Sequence, residues 1–476
     1  MSGNSTDVIV VGGGTGGYST ALRAAHLGLD VTLIERDLVG GTCLHRGCVP
    51  SKAMLHAAEL LDGVSEARER WGVKATVDSV DWEALAATRD DIVARNHRGV
   101  EGQLSGAGVA VVRGTATLAG PRRVDVARAA GAGPQRWTAR RGVVLATGSR
   151  PRTLPGLEPD GRTVVTSDDA LFAPGLPRSV LVLGGGAIGV EYASLHRSMG
   201  ADVTLVEAAQ RLLPLEDEDT SRQLTRALKK RGITVLTGAR LREAHRAGPG
   251  IEARVQPARG DETVLTTERL LVAVGRAPVT DGLGLAAAGL ATDERGHLPP
   301  ARWATLETAT AGIHVVGDLL PPPSLGLAHA SFAEGLVVAE ALAGRATRPV
   351  DYAAVPRVTY SSPQTASVGL SEAEARAAGH DVRANVMPLT ATAKGMVHGQ
   401  GGMVKVVAEQ DAEGRVLGVH LVGPHVSEMI AESQLAVAWD ASPADIAQHI
   451  HPHPTLSEAV GEAFLTLAGR GLHQHA

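Results

Sequence analysis

Two cysteines are the residues of this sequence whose type and spacing are best suited to chemistry. Cys43 and Cys48 lie in one glycine-rich loop, and no other cysteine occurs in the 476 residues. The loop leads into a predicted helix, and a helix N-terminus stabilises a thiolate and lowers its pKa. A thiolate is the species that exchanges with disulfides. The pair is therefore a candidate redox centre, with an inert pair, a structural disulfide and a metal site as the alternatives.

A histidine motif near the C-terminus could supply a base for such chemistry. His453 stands in the segment that runs His451-Pro-His-Pro-Thr-Leu-Ser-Glu458. Histidine exchanges protons near neutral pH, and a carboxylate bonded to one ring nitrogen raises the basicity of the other. Glu458 is the candidate for that carboxylate. Two histidines this close also occur in metal sites, but no further ligands cluster around them in the sequence, so no metal is predicted.

Composition and charge exclude several classes of function. The 46 Lys and Arg residues against 51 Asp and Glu leave a net charge of −5, which offers no basic excess for nucleic acid. No apolar run reaches the roughly 18 residues that cross a bilayer. Two cysteines are too few for a secreted disulfide scaffold, and the polar start lacks a signal pattern, so a cytoplasmic protein is predicted. The charged runs 216–219 and 229–231 are predicted to be the solvated ends of one helix.

Two segments must position these groups, and both have the order strand, glycine turn, helix, strand, acidic residue. Their turn residues are Gly12, Gly14 and Gly17 in the first segment, and Gly184, Gly186, Ile188 and Gly189 in the second. The first glycine allows a tight turn, the second lets backbone approach a pyrophosphate, and the last lets helix and strand pack closely. Glu35 and Glu207 follow at the same spacing, where each can accept hydrogen bonds from a ribose. Two dinucleotide sites are therefore predicted.

The same patterns divide the chain, whose length suggests about three domains. The predicted fold class is α/β, with two Rossmann-like dinucleotide-binding domains and an α+β C-terminal domain. The predicted segments are 1–150 with the first glycine turn and the cysteines, 151–274 with the second turn, 275–348 returning to the first domain, and 349–476 as the C-terminal domain. A Pro/Gly-rich stretch at 150–156 and the loss of glycine turns after about Pro349 mark the main boundaries.

The cysteine loop resembles that of the flavoprotein disulfide reductases, which reads G-G-T-C-x-x-x-x-G-C-x-P-S-K. The glycine turns, Ala146-Thr-Gly148, Gly317-Asp318 and the histidine motif H-x-H-P-T-x-S-E are also similar to that family, in the same order along nearly the whole chain. The resemblance implies a redox-active disulfide between Cys43 and Cys48. His45 departs from the pattern, because the family often has Asn there, but the change removes no catalytic group.

The resemblance also implies two cofactors, tightly but non-covalently bound FAD at the first turn and NAD at the second. The residues implied for FAD are Gly12, Gly14, Gly17, Glu35, Thr42, Lys52, Ala116, Thr147, Gly148, Ser149, Asp318 and Ala328. Those implied for NAD are Gly184, Gly186, Ile188, Gly189, Glu207, Gly275 and Arg276. Glu207 favours NAD because a carboxylate bonds a free ribose 2′-hydroxyl and repels a 2′-phosphate. Arg211 lies close enough in sequence to leave NADP open.

Further catalytic roles follow from the same resemblance. Lys52 and Glu191 would pair beside the flavin, and His453, oriented by Glu458, would be the base. In the family the C-terminal domain dimerises, and the base reaches the disulfide of the partner subunit. The resemblance therefore implies a homodimer with composite active sites.

Absent and present motifs narrow the choice within the family. No cysteine follows Cys48, which disfavours the high-molecular-weight thioredoxin reductases and the mercuric reductases, because both carry C-terminal cysteines. Glu207 disfavours the NADPH-dependent glutathione reductases. Tyr18, the segment 327–329 and the histidine motif are most similar to the dihydrolipoyl dehydrogenases. That resemblance implies oxidation of protein-bound dihydrolipoamide by NAD+, with a lipoyl-bearing acyltransferase of a 2-oxo-acid dehydrogenase complex or a glycine-cleavage carrier as partner. A flavin reductase or transhydrogenase for quinones or other disulfides, and a structural subunit of a multienzyme core, are the alternatives.

Overall fold

The computed structural model describes residues 4–127, 135–411 and 413–473. The chain forms two compact units. Unit 1 comprises Met1–Ala53, Glu83–Arg152 and Arg276–Tyr352. Unit 2 comprises Met54–Trp82, Thr153–Gly275 and Ala353–Ala476. Within the described ranges, no helix combines the length and apolarity that a membrane crossing requires.

The helices and strands follow one another along the chain as predicted for alternating α/β units. The helices are α1 (Thr15–His26), α2 (Gly41–His45), α3 (Cys48–Arg70), α4 (Trp82–Gly106), α5 (Ser167–Leu171), α6 (Ala187–Ser198), α7 (Glu218–Lys230), α8 (Ala328–Leu342), α9 (Glu372–Ala377), α10 (Ala393–His398), α11 (Val426–Ala438), α12 (Pro443–Ile446) and α13 (Glu458–Leu467). The strands are β1 (Asn4–Val11), β2 (Val31–Glu35), β3 (Ala110–Arg113), β4 (Thr115–Gly120), β5 (Arg123–Ala127), β6 (Gln135–Leu145), β7 (Ser149–Pro151), β8 (Val164–Val165), β9 (Ser179–Leu183), β10 (Asp202–Glu207), β11 (Thr234–Thr237), β12 (Arg240–Ala247), β13 (Gly250–Gln256), β14 (Thr263–Thr267), β15 (Arg269–Val272), β16 (Arg276–Pro278), β17 (Ile313–Val315), β18 (Arg357–Thr359), β19 (Gln364–Gly369), β20 (Val382–Pro388), β21 (Met403–Glu409) and β22 (Val416–Gly423).

Unit 1 is built on a seven-stranded sheet with the order β3-β2-β1-β6-β5-β4, to which β17 adds by pairing with β6. The strands β3, β2, β1, β6 and β17 are parallel, and β4 and β5 form an antiparallel extension. The apolar run at 8–11 is fully or almost fully buried, as expected for a central strand covered on both faces. Ligands bind at the carboxyl ends of such strands, where the first glycine turn and Asp318 lie.

Unit 2 contains a parallel sheet with the order β11-β10-β9-β15-β8, and the second glycine turn joins β9 to α6. A three-stranded antiparallel sheet, β12-β13-β14, is inserted before β15. The C-terminal part forms a separate antiparallel sheet, β18-β19-β22-β21-β20, against which α11 and α13 pack. The predicted fold class, two Rossmann-like domains and an α+β C-terminal domain, is confirmed.

Candidate active site

The first glycine turn is held by contacts that exclude side chains at two positions. Gly12 has a φ of +103°, and a Cβ there would overlap the carbonyl oxygen of Ala146 at the end of β6. A Cβ at Gly17 would overlap the carbonyl oxygen of Gly12, so helix and turn are in direct backbone contact. Gly14, in contrast, has no atom within 4 Å of its Cβ position. Open space therefore lies over the N-terminus of α1, which fits the pyrophosphate of FAD.

The second glycine turn repeats this geometry. Gly184 has a φ of +112°, and a Cβ there would overlap the carbonyl oxygen of Ala273 just after β15. A Cβ at Gly189 would overlap the carbonyl oxygen of Gly184, whereas the Cβ position of Gly186 has no atom within 4 Å. The turn at α6 thus fits a second dinucleotide, as the spacing predicts.

The acidic residue of each unit is bonded to its own glycine turn. Glu35 accepts the backbone N–H of Gly13 at 2.6 Å, and Glu207 accepts that of Gly185 at 2.5 Å. The second oxygen of each carboxylate accepts the N–H two residues further along, at 2.8 and 2.5 Å respectively. The carboxylates are therefore held beside the turns, where ribose hydroxyls are predicted. Their hydrogen bonds also fix the conformation of the turns, a role that the sequence did not reveal.

Asp318 follows β17 and forms the polar part of the first site. Its carboxylate accepts a very short hydrogen bond from Ser149, and its Oδ2 lies 3.9 Å from the Nε of Arg276. Burial raises the pKa of Asp318, although Ser149 and Arg276 lower it in part. Arg276 also donates to the Oγ and the carbonyl of Ser149, at 2.7 and 2.8 Å. Arg276, predicted for NAD, thus contacts residues predicted for FAD.

Glu334 is a residue of this region that sequence reasoning missed. It is fully buried on α8 and accepts hydrogen bonds from the N–H of Gly317 at 2.6 Å, Ser324 at 2.9 Å and Tyr352 at 3.1 Å. Burial raises its pKa, and the three donors oppose that shift. Glu334 therefore fixes the turn that presents Asp318. The only signal in the sequence was an acid within an otherwise apolar helical run.

The other predicted cofactor residues occupy the ends of these elements. Thr147 donates to the carbonyl of Val279 at 2.6 Å, and Gly148 has a φ of +69° with open space at its Cβ position. The remaining positions are Thr42 in α2, Lys52 in α3, Ala116 buried in β4, Ala328 as the first residue of α8, Ile188 in α6, and Gly275 with a φ of +112° before β16. Glu191 is buried on α6, where it accepts the backbone N–H of Tyr360 at 2.9 Å.

The two cysteines lie at successive helix starts, Cys43 in α2 and Cys48 as the first residue of α3. The pKa of Cys43 is raised, first by its hydrogen bond with Cys48 and then by burial, while the charge of Lys52 opposes the shift. The prediction that a helix N-terminus lowers the pKa is therefore wrong for Cys43, because the neighbouring sulfur and burial outweigh the helix. The hydrogen bond with Cys48 and the burial therefore disfavour the thiolate form of Cys43 when both cysteines are reduced.

A cavity of about 620 Å³ lies beside Tyr18 and one face of α4. It is lined by Tyr18, Ile92, Arg95, Asn96, Gly99, Val100 and Gln103. Burial raises the pKa of Tyr18, and the charge of Cys43 adds to that shift, so the phenol lies within electrostatic reach of the sulfur. Tyr18 is therefore the residue that the cavity and the surroundings of Cys43 have in common.

The histidine motif forms an oriented base. Nδ1 of His453 lies 2.7 Å from Oε1 of Glu458, and 73% of the His453 side chain is exposed. Glu458 Oε2 accepts the backbone N–H of Thr455 at 2.7 Å, and the Glu458 N–H donates to Thr455 Oγ1 at 3.3 Å. These reciprocal bonds have the pattern of a capping box. Because Nδ1 donates to the carboxylate, Nε2 is left as the basic nitrogen facing solvent.

Comparison with known proteins agrees with this geometry. Residues 6–335 match the family described as pyridine nucleotide-disulphide oxidoreductase, and residues 355–464 match its dimerisation domain. Dihydrolipoyl dehydrogenase of Bacillus subtilis is 40% identical over 476 residues, covering 98% of this chain and 99% of the relative. Dihydrolipoyl dehydrogenase 3 of Pseudomonas aeruginosa is 40% identical over 472 residues, covering 98% and 99%. The solved structure of LpdA from Mycobacterium tuberculosis has a TM-score of 0.87 at 26% identity, covering 96% and 99%.

The matches extend over nearly all of the chain and both of its predicted cofactor turns. The predicted oxidoreductase activity and the predicted use of FAD and NAD are confirmed. The C-terminal sheet and its helices are the dimerisation domain. The chain therefore belongs to the pyridine nucleotide-disulphide oxidoreductases.

Proposed function

We propose that this chain oxidises dihydrolipoyl groups to lipoyl disulfides and reduces NAD+ to NADH. The observation that carries the proposal is the bond of 2.7 Å between His453 and Glu458, which makes an exposed and oriented base. Oxidation of a dithiol requires such a base, because the attacking sulfur must lose its proton. Relatives at 40% identity that bear the name dihydrolipoyl dehydrogenase support the choice of substrate.

The two glycine turns divide the cofactors between them. The turn at α1, with Glu35 for the adenosine ribose and Asp318 for the ribitol, would hold FAD. The turn at α6, with Glu207, would hold NAD+. The chemistry that FAD supplies when bound is transfer of an electron pair from sulfur to NAD+ as hydride. The protein contributes orientation, exclusion of water and the charges around these groups.

The cysteines and His453 carry out the exchange with substrate. His453 Nε2 takes the proton of one substrate thiol, and the resulting thiolate attacks Sγ of Cys43 in the Cys43–Cys48 disulfide. The Cys43–Cys48 bond breaks, and Cys48 leaves as a thiolate. The second substrate thiol then displaces Cys43, and its proton passes to the departing Cys43 sulfur. The lipoyl disulfide closes, and Cys43 is left in the protonated state that its raised pKa favours.

The remaining roles concern charge and assembly. Lys52 and Glu191 are proposed to form an ion pair beside the flavin, with the lysine favouring electron-rich states of the ring. The dimerisation domain supports a homodimer in which His453 serves the disulfide of the partner subunit. A lipoyl-bearing acyltransferase or glycine-cleavage carrier would present the substrate. The small number of cysteines supports a cytoplasmic location.

A steady-state comparison tests this function. The flavin-loaded protein is assayed with dihydrolipoamide and NAD+, and separately with glutathione disulfide and NADPH. Turnover is expected with the first pair and not with the second. Turnover only with quinones or with another disulfide would contradict the proposed substrate, and lack of any redox turnover would favour a structural subunit.

The assignment of the two turns predicts loss of FAD for one of two matched substitutions and weaker NAD+ binding for the other. Gly14→Ala and Gly186→Ala each place a methyl group in open space and leave the backbone unstrained, so both variants are expected to fold. A methyl group against a bound pyrophosphate costs about 1–3 kcal/mol, or roughly 5- to 150-fold in affinity. Gly14→Ala should reduce the FAD content of the purified protein, and Gly186→Ala should raise KM for NAD+ with full FAD.

The measurements for this pair are the absorbance ratio of bound flavin to protein and KM for NAD+. Gly17→Ala is the contrasting control, because its methyl group would overlap Gly12 and lower the thermal stability of the apoprotein. Loss of flavin in Gly186→Ala with normal flavin in Gly14→Ala would reverse the assignment.

Glu207 predicts the choice of nicotinamide cofactor. Glu207→Ala removes a charged hydrogen-bond acceptor, which is worth about 1.5–3 kcal/mol, so KM for NAD+ should rise roughly 10- to 150-fold. Glu207→Gln keeps one acceptor oxygen for the Gly185 N–H but removes the charge that repels a 2′-phosphate. Glu207→Gln should therefore reduce the preference for NAD+ over NADP+, and KM for NAD+ should rise less than in Glu207→Ala. An unchanged KM for NAD+ in Glu207→Ala would contradict the ribose contact.

A further inference from the structure

The base lies on a segment that has no regular structure of its own. Residues 447–457 connect α12 to α13, and His453 lies within this segment with its side chain largely exposed. Glu458 fixes the rotation of the imidazole ring but not the path of the backbone on its N-terminal side. The position of the ring therefore depends on what holds each end of the segment.

The C-terminal end is held by the start of α13. Thr455 and Glu458 exchange capping-box bonds, and Thr455 Oγ1 donates to the carbonyl of Pro452 at 2.7 Å. The backbone on both sides of His453 is thus tied to the helix from this side. Pro452 and Pro454 cannot donate a backbone hydrogen bond that would hold the segment, because proline has no N–H.

The N-terminal end is held by His451. Its Nε2 lies 2.8 Å from Oε1 of Glu432 on α11, and only 14% of the His451 side chain is exposed. The ring also packs on α13 at Gly461, where a Cβ would overlap His451 Nδ1. The absence of a side chain at 461 therefore leaves the space that the ring occupies. His451 joins two helices of the dimerisation domain at a point two residues before the base.

The electrostatic surroundings favour a charged bond at this point. The hydrogen bond that His451 donates to Glu432 raises the pKa of His451, the charges of Glu432 and Glu458 add to the shift, and burial opposes it. A bond between an imidazolium and a carboxylate is stronger than one between neutral groups. The pair therefore suits a role as a rigid support.

We propose that His451 is a positioning residue, which, through Glu432 and Gly461, fixes the segment that presents His453 to the substrate thiol. The inference rests on the proposed function, because it concerns the base of that reaction. His451 itself touches neither substrate nor cofactor in this assignment. Its effect is exerted on the placement of a neighbouring ring, and a misplacement of about 1 Å costs on the order of 100-fold in rate.

Three substitutions test the proposal, each at a different part of the contact between His451, Glu432 and Gly461. His451→Ala removes the ring, Glu432→Ala removes its partner on α11, and Gly461→Ala displaces the ring without altering either member of the pair. Each should lower kcat with dihydrolipoamide about 10- to 100-fold and leave KM for NAD+ unchanged. Reduction of ferricyanide by NADH, which needs no dithiol base, should be retained. Glu432→Gln keeps an acceptor for the ring and should restore most of the dithiol activity.

The controls separate positioning from stability and from the proposed function. Glu428→Ala removes an exposed acid one turn earlier on α11, which bonds only to the neighbouring Ser427 among the contacts described, and should be neutral. Normal dithiol turnover in Gly461→Ala and His451→Ala would overturn the inference. An equal fall in dithiol and ferricyanide activities, with a lower Tm, would overturn it as well, because it would indicate a general structural role. A wild-type protein without dithiol turnover would overturn the proposed function instead.

Discussion

Cys43→Ser should abolish oxidation of dihydrolipoamide while leaving electron transfer from NADH to ferricyanide nearly intact. Serine cannot form a disulfide, so the covalent exchange with substrate has no entry point, and the loss should exceed about 10³-fold, as for removal of a catalytic nucleophile. The substitution is close to isosteric and lies in a short helix that is fixed by backbone hydrogen bonds. The FAD turn is untouched, so flavin content should be normal.

Cys48→Ala provides the complementary measurement. Its thiol is the first cause of the raised pKa of Cys43, so its removal should lower that pKa and increase the thiolate fraction at neutral pH. Cys43 in this variant should therefore be alkylated by iodoacetamide faster than in the reduced wild-type protein, as followed by peptide mass mapping. Full dithiol turnover in Cys43→Ser, or slower alkylation of Cys43 in Cys48→Ala, would contradict the assigned roles.

Local patterns made much of this site predictable. At Gly12 and Gly184 the backbone lies so close to a neighbouring strand end that a Cβ would overlap it, so only glycine fits. The spacing of the glycines in each turn therefore indicates both dinucleotide sites. The bond between His453 and Glu458 is equally local, since its two members are five residues apart. In such cases the residues that create the geometry are sequence neighbours, and a single chain carries enough information.

Contacts between distant segments were not predictable in the same way. The run 216–219 lies at the start of α7 as predicted, but Glu216 and Asp217 are buried and not solvated. Lys405 on β21 bonds Asp217 at 3.0 Å, and Arg357 bonds Glu216 at 3.0 Å. Charged side chains are normally exposed, so the pattern favoured a solvated helix end. The partners that reverse this expectation come from more than a hundred residues away.

The same limit applies to the supports of the active site. Glu334 and Glu432 each stand in a helix without any motif, and their roles depend on partners brought together by the fold. The pKa of Cys43 is a further case, because burial and the distance to Cys48 are properties of packing. Sequence therefore indicates the groups that react, and the structure is needed for those that hold them.

His453→Gln should lower kcat/KM for dihydrolipoamide by about 10²- to 10⁴-fold, the usual contribution of a general base. Glutamine can still donate to Glu458 but has no basic nitrogen to accept the thiol proton. Glu458→Gln should have a smaller effect, on the order of 10²-fold, because it leaves the imidazole of His453 in place and alters only the contacts that orient it. Glu458 uses one oxygen for His453 and the other for the Thr455 N–H, whereas glutamine has a single acceptor oxygen.

The chain contains a matched control for this pair of substitutions. His473 Nδ1 lies 3.0 Å from Oε1 of Glu462, also on α13, and 55% of the His473 side chain is exposed. Like His453, it is an exposed imidazole bonded to a carboxylate of α13, at a different place on the same helix. His473→Gln should retain dithiol activity. If His473→Gln and His453→Gln reduced activity equally, proximity to the substrate thiol could not be the cause, and His453 would lose its role as the base.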